Sequence, residues 1–372
     1  MEVKDRLELV LRNVAEPIEE FVITLQDLKE LLKKKANPSA YIGYEPSGPI
    51  HIGYLPSIEK ILDFQRAGFK VIILLADLHA FLNRKGPLEL IQEVSETYWR
   101  EIFKALGADK AKFVLGSSYQ LEKDYVLDLM LLSERVRVKE AWRAMTIIAR
   151  EAENPTVSQY IYPLMQALDI LYLEADVAFG GTDQRKVYVL AREQFSQSDI
   201  KLNHEIWVPV IIHLPMVIGL TGEKMSSSKP ETHIAVHDRP ETIKKKMRNA
   251  LCQPDVVDPD KNPIFSFLRY VIFPYIDKFV VHREEKYGGD IIYTRIEDLE
   301  KDYLAKRLHP LDLKMAIANY FIERLKPARK KLEEDPDILR PIYKLQKWQW
   351  EHGFIGRDAW EKLSKEYSYY GL

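Results

Sequence analysis

The chain has 372 residues, 46% apolar and 30% charged, with a net charge of −2. That length supports a sizeable core and two or more domains, and no apolar run approaches the ~20 residues that a membrane-crossing helix needs. The near-neutral balance excludes a global basic field for nucleic acid and leaves local clusters as the source of phosphate contacts. The single cysteine, Cys252, excludes an internal disulfide and a multi-cysteine zinc site. The N-terminal residues lack a cleavable signal layout, so a reducing cytoplasm is the expected compartment.

In chain order, residues 1–36 read as a helical segment, with a helix start at Thr24-Leu25-Gln26-Asp27 and an end at Asn37-Pro38. Ala40 to Tyr44 reads as a short strand broken by Pro46 and Gly48. Tyr54 to Ala67 is an amphipathic helix closed by Gly68. Val71 to Ala76 is wholly apolar, as a strand buried on both faces of a parallel sheet should be. A helix over Leu88 to Ala105 and a strand over Lys112 to Leu115 continue the βαβ rhythm of a doubly wound sheet. Residues 124–152 read as mostly helical, followed by a helix over Ile161 to Leu173 and a last strand at Val177-Ala178-Phe179. From about residue 233 the chain becomes helical, with a polar, aromatic-bearing stretch at 282–314. Two basic clusters, Lys244-Lys245-Lys246 with Arg248 and Arg324 to Lys331, read either as solvated helix faces or as phosphate contacts.

Two segments carry chemistry. Glu45-Pro46-Ser47-Gly48-Pro49-Ile50-His51-Ile52-Gly53-Tyr54 puts a histidine where a strand turns into a helix. There an imidazole and free backbone N–H groups can face phosphate, and Gly53 leaves room for a nucleotide. Lys224-Met225-Ser226-Ser227-Ser228 puts a lysine and three hydroxyls on a loop flanked by Gly222 and Pro230, which suits a departing pyrophosphate. Each alone is unspecific: a core histidine and a surface serine loop are the plain alternatives. Nucleotidylyltransferases also use a histidine-glycine segment, but are typically shorter.

Together and in this order the segments resemble the HIGH and KMSKS signatures of class I aminoacyl-tRNA synthetases. Over residues 1–332 the chain resembles the tyrosyl-tRNA synthetases of the archaeal and eukaryotic branch. Further segments carry the likeness: Tyr41 to Gly48, Leu75 to Ala80, Tyr162 to Asp169, Gly180 to Lys186 and His309 to Lys314. The resemblance implies an α/β fold, a Rossmann-like doubly wound parallel-sheet catalytic domain with a smaller, mainly α-helical C-terminal anticodon-recognition domain. The expected divisions are an N-terminal segment 1–36, a catalytic domain 37–230 with an inserted connective and dimerisation region at about 115–150, an anticodon-binding domain 231–332 and an aromatic-rich extension 333–372.

The implied reaction is activation of tyrosine by ATP, with Mg²⁺ accompanying the ATP and no zinc, then transfer to tRNA(Tyr) by a homodimer. Tyr41 and Asp169 would pair the substrate phenol, because a site that hydrogen-bonds a hydroxyl rejects the analogue lacking it. Tyr162, Gln166 and Gln184 would hold the amino group, with Glu45, Leu74 and His79 completing the tyrosine site. His51, Lys224 and Ser227 would be catalytic. Pro46, His51, Gly53, Tyr54, Asp183 and the loop residues Lys224, Met225, Ser226, Ser227 and Ser228 would bind ATP. Arg143, Arg185 and Lys186 would meet the tRNA acceptor end, and Tyr287, His309, Pro310 and Asp312 the anticodon. The chain departs from the signatures at two places: Tyr54 stands where the first has histidine, and Ser227 where the second has lysine. The phosphate-gripping charge would then rest on His51 and Lys224, with Lys229 as a helper. A tryptophanyl enzyme or a catalytically silent RNA-binding paralogue remain the alternatives. For Trp348, Trp350, Phe354, Trp360, Tyr367, Tyr369 and Tyr370 a packed helical extension is expected.

Overall fold

The computed structural model describes residues 1–146 and 153–372, so the end of the helical stretch expected over 124–152 lies outside the described residues. The chain forms two compact units. The first comprises Met1–Ser47 and Lys60–Pro215, the second Gly48–Glu59 and Met216–Leu372.

The first unit is built on six strands: β1 (Val22–Ile23), β2 (Ser39–Tyr44), β3 (Lys70–Leu75), β4 (Lys112–Leu115), β5 (Val177–Gly181) and β6 (Val210–Leu214). Their order is β1-β6-β5-β2-β3-β4. From β6 to β4 all neighbours are parallel. The chain winds outward from β2 to β4, then returns to lay β5 on the other side of β2, with Ala40 opposite Val177 and Tyr41 opposite Ala178. That reversal is a topological switch point, where the carboxyl ends of strands open a crevice.

Two strands fall outside the sequence reading, which ends the sheet at Phe179. β6 is buried at all five positions, and lies between Pro209 and Pro215 with His213 breaking its apolar run. β1 interrupts the segment read as helical and pairs antiparallel with β6 through two residues, too few for any periodic signal. The sheet is therefore mixed at that edge. Ala15 N–H donates to the His213 carbonyl at 2.9 Å beside the same edge.

The helix Val157–Tyr172 starts at a capping box, in which the Gln159 amide oxygen accepts from Thr156 N–H at 2.9 Å. Residues 162–171 are buried without a break, so this helix is a core element rather than a one-sided one. The span from Leu88 is helical with a wider π turn at Val94–Trp99, and Gly107, at φ 109°, breaks its last turn, Lys104–Ala108. Its Trp99 and Phe103 pack on Tyr44 of β2.

The N-terminal helix Val3–Leu11 is fastened by buried cations. The Arg6 guanidinium donates to the carbonyls of Leu32, Lys35, Ala36 and Ala67. The Lys60 ammonium, fully buried, donates to the carbonyls of Leu9, Val10 and Arg12 and faces Asp63 at 4.0 Å. Burial pushes the Lys60 amine down to about 7, and the Asp63 charge works against that shift. Asp63 also binds Arg12 and Arg66.

The second unit is mainly helical. Its longest helix, Pro310–Glu334, is capped by His309, whose Nδ1 accepts from Leu311 N–H at 3.1 Å, and opens on Pro310. Leu313, Ile317, Phe321, Leu325 and Leu332 are its buried stripe. β7 (Phe279–Val281) and β8 (Ile291–Tyr293) form a hairpin, of which only β8 lies in the stretch 282–314 read as polar and aromatic. The chain ends in two helices, Arg340–Glu351 and Arg357–Tyr369, whose Trp350 and Trp360 stack at 5.3 Å.

The basic cluster at 324–331 is not one open phosphate patch. Arg324 pairs with Glu59 at 2.7 Å, and Arg329 is buried and donates to the Ile322 carbonyl.

Asp63→Ala leaves buried Lys60 without its carboxylate and should cost about 3–5 kcal/mol. Arg66→Ala removes only a half-exposed partner of the same carboxylate and should cost under ~1 kcal/mol. Urea titration of both variants checks the contrast, and equal losses would contradict it.

Candidate active site

The centre of the first unit is Asp169, fully buried on the helix Val157–Tyr172. Its Oδ1 accepts from three groups that follow β4: Tyr119 Oη at 2.7 Å, Gln120 Nε2 at 2.8 Å and Tyr125 Oη at 2.9 Å. Its Oδ2 has no hydrogen-bond partner among the described residues, and His79 Nε2 stands 3.5 Å away, also without one. Burial raises the Asp169 pKa, while His79 and the three donors pull the other way. Tyr41, on β2, is buried, and its phenol is held well above its ordinary range by burial and by the Asp169 charge. A Cβ at Gly43 would lie 3.0 Å from Tyr41 Oη and 3.7 Å from Leu74, so glycine there makes room for that hydroxyl. One wall thus holds a charged acceptor with a spare oxygen beside a buried phenol, a pairing that suits a ligand hydroxyl.

On the same helix Gln166 Nε2 donates to Gln184 Oε1 at 3.1 Å, and Gln166 Oε1 has no partner among the described residues. Gln184 ends the short turn Thr182–Gln184 that follows β5 and contains Asp183. Tyr162 packs edge-on against His79 at 4.6 Å, and burial followed by the Glu45 charge raises its pKa. Glu45 accepts from Asn83 Nδ2 at 2.9 Å and faces Lys85 at 3.8 Å. Pro46 is buried next to it. The structure therefore gathers Tyr41, Glu45, Leu74, His79, Tyr162, Gln166, Asp169 and Gln184 within the first unit. The sequence reading missed Tyr119, Gln120 and Tyr125. Their only signal is position, just past the carboxyl end of a parallel strand.

In the second unit, His51 is buried and packs in tilted ring contacts against Tyr54 at 4.5 Å and His233 at 4.7 Å. Burial, then the Lys246 charge, lowers its pKa to about 3. The ring is neutral at pH 7, and because its Nδ1 accepts from Gly53 N–H at 3.1 Å, the proton sits on Nε2. The sequence reading expected free backbone N–H groups here. Instead Ile52, Gly53 and Tyr54 donate to Ile234 O, His51 Nδ1 and His51 O, because the segment pairs with Ile234–Val236 and turns back on itself. A Cβ at Gly53 would lie 2.8 Å from Met225 Sδ and 2.9 Å from the His51 ring, so the space that glycine leaves is filled by those side chains.

The loop 224–229 is tied internally: Ser226 N–H donates to Thr232 Oγ1, and the Ser226 and Ser228 hydroxyls lie 3.0 Å apart. Ser227 presses on Gly48, where a Cβ would come within 2.4 Å of the Ser227 Cβ. Lys224 is exposed. Lys229, read as a helper cation, pairs with Glu223 at 3.3 Å.

The family of class I tRNA synthetases for tryptophan and tyrosine matches residues 33–326. The chain belongs to that family. It is 46% identical over 334 residues to a tyrosine–tRNA ligase of Archaeoglobus fulgidus, covering 89% of this chain and 99% of that one. A tyrosine–tRNA ligase of Methanopyrus kandleri is 48% identical over 333 residues, covering 89% and 98%. The crystal structure of the Archaeoglobus fulgidus tyrosyl-tRNA synthetase complexed with L-tyrosine superposes with a TM-score of 0.81 at 46% identity, covering 89% of this chain and all of that one.

The remaining expected residues of the synthetase are exposed or half-buried. Arg143 is exposed on the helix Val138–Met145. Arg185 and Lys186 open the helix Arg185–Phe195, with Arg185 3.6 Å from Glu20. Tyr287, which composition alone would place in a core, is 64% exposed in the turn between β7 and β8. His309, Pro310 and Asp312 form the capped start of the longest helix.

His233 and His237 of the synthetase are also buried, which lowers their pKa values as it does that of His51. Between pH 6.5 and about 3 the unfolded chain takes up a proton that native His51 refuses. For His51, stability is therefore whole above pH 6.5 and falls with pH below it, by about 2 kcal/mol at pH 5, and the buried His233 and His237 act in the same sense. The raised Asp169 carboxyl acts in the opposite sense. Replacing His51 and His233 with asparagine should flatten the loss of urea midpoint between pH 7 and 5; an unchanged slope would contradict it.

Proposed function

We propose that the chain is a tyrosine–tRNA ligase. The tyrosine carboxylate attacks the α-phosphorus of ATP, the bond to the β-phosphate oxygen breaks, and pyrophosphate leaves with the displaced electron pair. A ribose hydroxyl of the tRNA terminal adenosine then attacks the adenylate carbonyl and AMP departs. No protein nucleophile is needed, so the residues act by positioning and by stabilising charge.

The observation that carries the reading is the Asp169 carboxylate, with one oxygen saturated by three donors and the other without a partner beside Tyr41. A phenol hydroxyl would donate to Oδ2 and accept from Tyr41. An indole, with one N–H and no acceptor, would leave Tyr41 unanswered. The Archaeoglobus relative, solved with L-tyrosine, supports the same choice. Gln166, Gln184 and Tyr162 offer neutral oxygens to the substrate ammonium, and Leu74 and His79 wall the ring. Glu45 lies beside Tyr162 and completes this side of the site.

His51 would serve as a neutral donor through Nε2–H, leaving Lys224 as the cation for the departing pyrophosphate, with Ser226, Ser227 and Ser228 offering hydroxyls. Gly53, Tyr54 and Met225 would supply further ATP contacts in the second unit, and Pro46 and Asp183 in the first. Mg²⁺ would enter as part of the substrate, held by phosphates and water. Arg143, Arg185 and Lys186 would meet the acceptor end of tRNA(Tyr). Tyr287 offers an exposed stacking face for an anticodon base, framed by His309, Pro310 and Asp312. In this reading the enzyme is cytoplasmic and a homodimer, joined through the helices near 115–150.

Tyrosine-dependent exchange of pyrophosphate into ATP tests the assignment. Exchange should appear with tyrosine and not with tryptophan; no exchange with either would sink the enzyme, and exchange with tryptophan alone would sink the tyrosine assignment. Asp169→Ala should lower kcat/KM for tyrosine by about 10- to 100-fold, and Gln120→Leu by about 5- to 10-fold, with KM for ATP unchanged. Equal losses for both substrates would contradict the pocket role.

A further inference from the structure

The helices Arg340–Glu351 and Arg357–Tyr369 lie beyond residue 326, where the family match ends. They are nonetheless fastened to the residues around the phosphate loop. Gln346, fully buried, donates through Nε2 to the Ser227 carbonyl at 3.3 Å, and its Oε1 accepts from Tyr367 Oη. Tyr367 is itself buried and stacks on the His237 ring at 5.2 Å. Tyr370 Oη donates to the His237 carbonyl at 2.9 Å. Glu366 accepts from Thr242 Oγ1 at 2.9 Å and faces Arg239 at 3.5 Å.

These contacts converge on two places. One is 237–242, directly after Ile234–Val236, the segment that pairs with His51. The other is Ser227, whose side chain meets Gly48 while its carbonyl takes Gln346. The Ser227 carbonyl can only accept, so it takes the Nε2 end of the amide, and the Tyr367 hydroxyl then donates to Oε1 and holds that orientation. A buried amide with both ends engaged has one orientation, so the carbonyl it holds has one position.

We propose that Gln346, oriented by Tyr367, is a positioning residue for the loop Lys224–Ser228, so that the C-terminal helices brace the ATP-phosphate loop of the synthetase. The consequence for ATP rests on the reading of that loop given above; the restraint of the loop does not.

Two readouts keep these apart. Trypsin can cut after Lys224, whereas the Lys229-Pro230 bond resists it. In the full-length chain, Gln346→Ala should speed cleavage at Lys224 about five- to tenfold, the value of one hydrogen bond. Tyr367→Phe, which removes a single oxygen, should speed it less. Gln346→Glu cannot donate to the Ser227 carbonyl and should behave as Gln346→Ala. In pyrophosphate exchange, Gln346→Ala and Gln346→Glu should raise KM for ATP about five- to tenfold and leave KM for tyrosine unchanged. Unchanged cleavage at Lys224 in folded Gln346→Ala and Tyr367→Phe would overturn the proposal, as would equal rises in both KM values. Faster cleavage in a protein without any exchange would uphold the brace and remove the functional reading of the loop instead.

Discussion

A carboxylate with no exposed surface obliges the fold to bring donors to it. Asp169 sits in the last turn of the buried helix Val157–Tyr172, and Tyr119, Gln120 and Tyr125 reach it from the stretch after β4. Three donors on one oxygen hold the carboxylate in one rotamer and point the other oxygen away from them. Tyr41 comes from β2 and is kept clear by the absent side chain at Gly43. The sheet order follows the same requirement, since only the reversal of winding between β2 and β5 opens a crevice at the ends of those strands.

The second unit solves a different problem. Its His51 is packed against His233 and Tyr54, and burial keeps it neutral. A neutral imidazole with a fixed tautomer is a directional donor and not a counter-charge. Tyrosine at position 54 is compatible with this arrangement, because it offers a flat face to the ring without adding a positive charge beside it.

Local pattern carried the parallel strands β2, β3, β4 and β5, because each is an apolar run closed by glycine, proline or a helix start. It missed β1, whose two residues have no period, and β6, whose His213 interrupts an apolar run between prolines. Tyr162, Gln166 and Asp169 were visible as polar residues on one helix. The donors around Asp169 were not, because they lie 44 to 50 positions away in sequence and nothing in a tyrosine or glutamine announces a distant carboxylate. The closeness of Gly48 to Ser227 is likewise tertiary. The backbone N–H groups near His51 looked available because helix starts usually leave them so. Ile234, 182 positions on, takes up the Ile52 N–H, and His51 itself takes those of Gly53 and Tyr54.

β6 has neighbours on both sides only because the N-terminal stretch lays β1 along it. Val22 and Ile23 pair with Ile212 and Ile211, Ala15 takes the His213 carbonyl, and the His213 ring contacts the Phe21 carbonyl at 3.0 Å. Without that cover, five consecutive buried residues would end in a row of unpaired amides and carbonyls, the template on which a second chain can add a strand. The first two dozen residues therefore contribute solubility as well as stability. A version trimmed to the family match at residue 33 would carry its sheet into solution with a self-complementary apolar border.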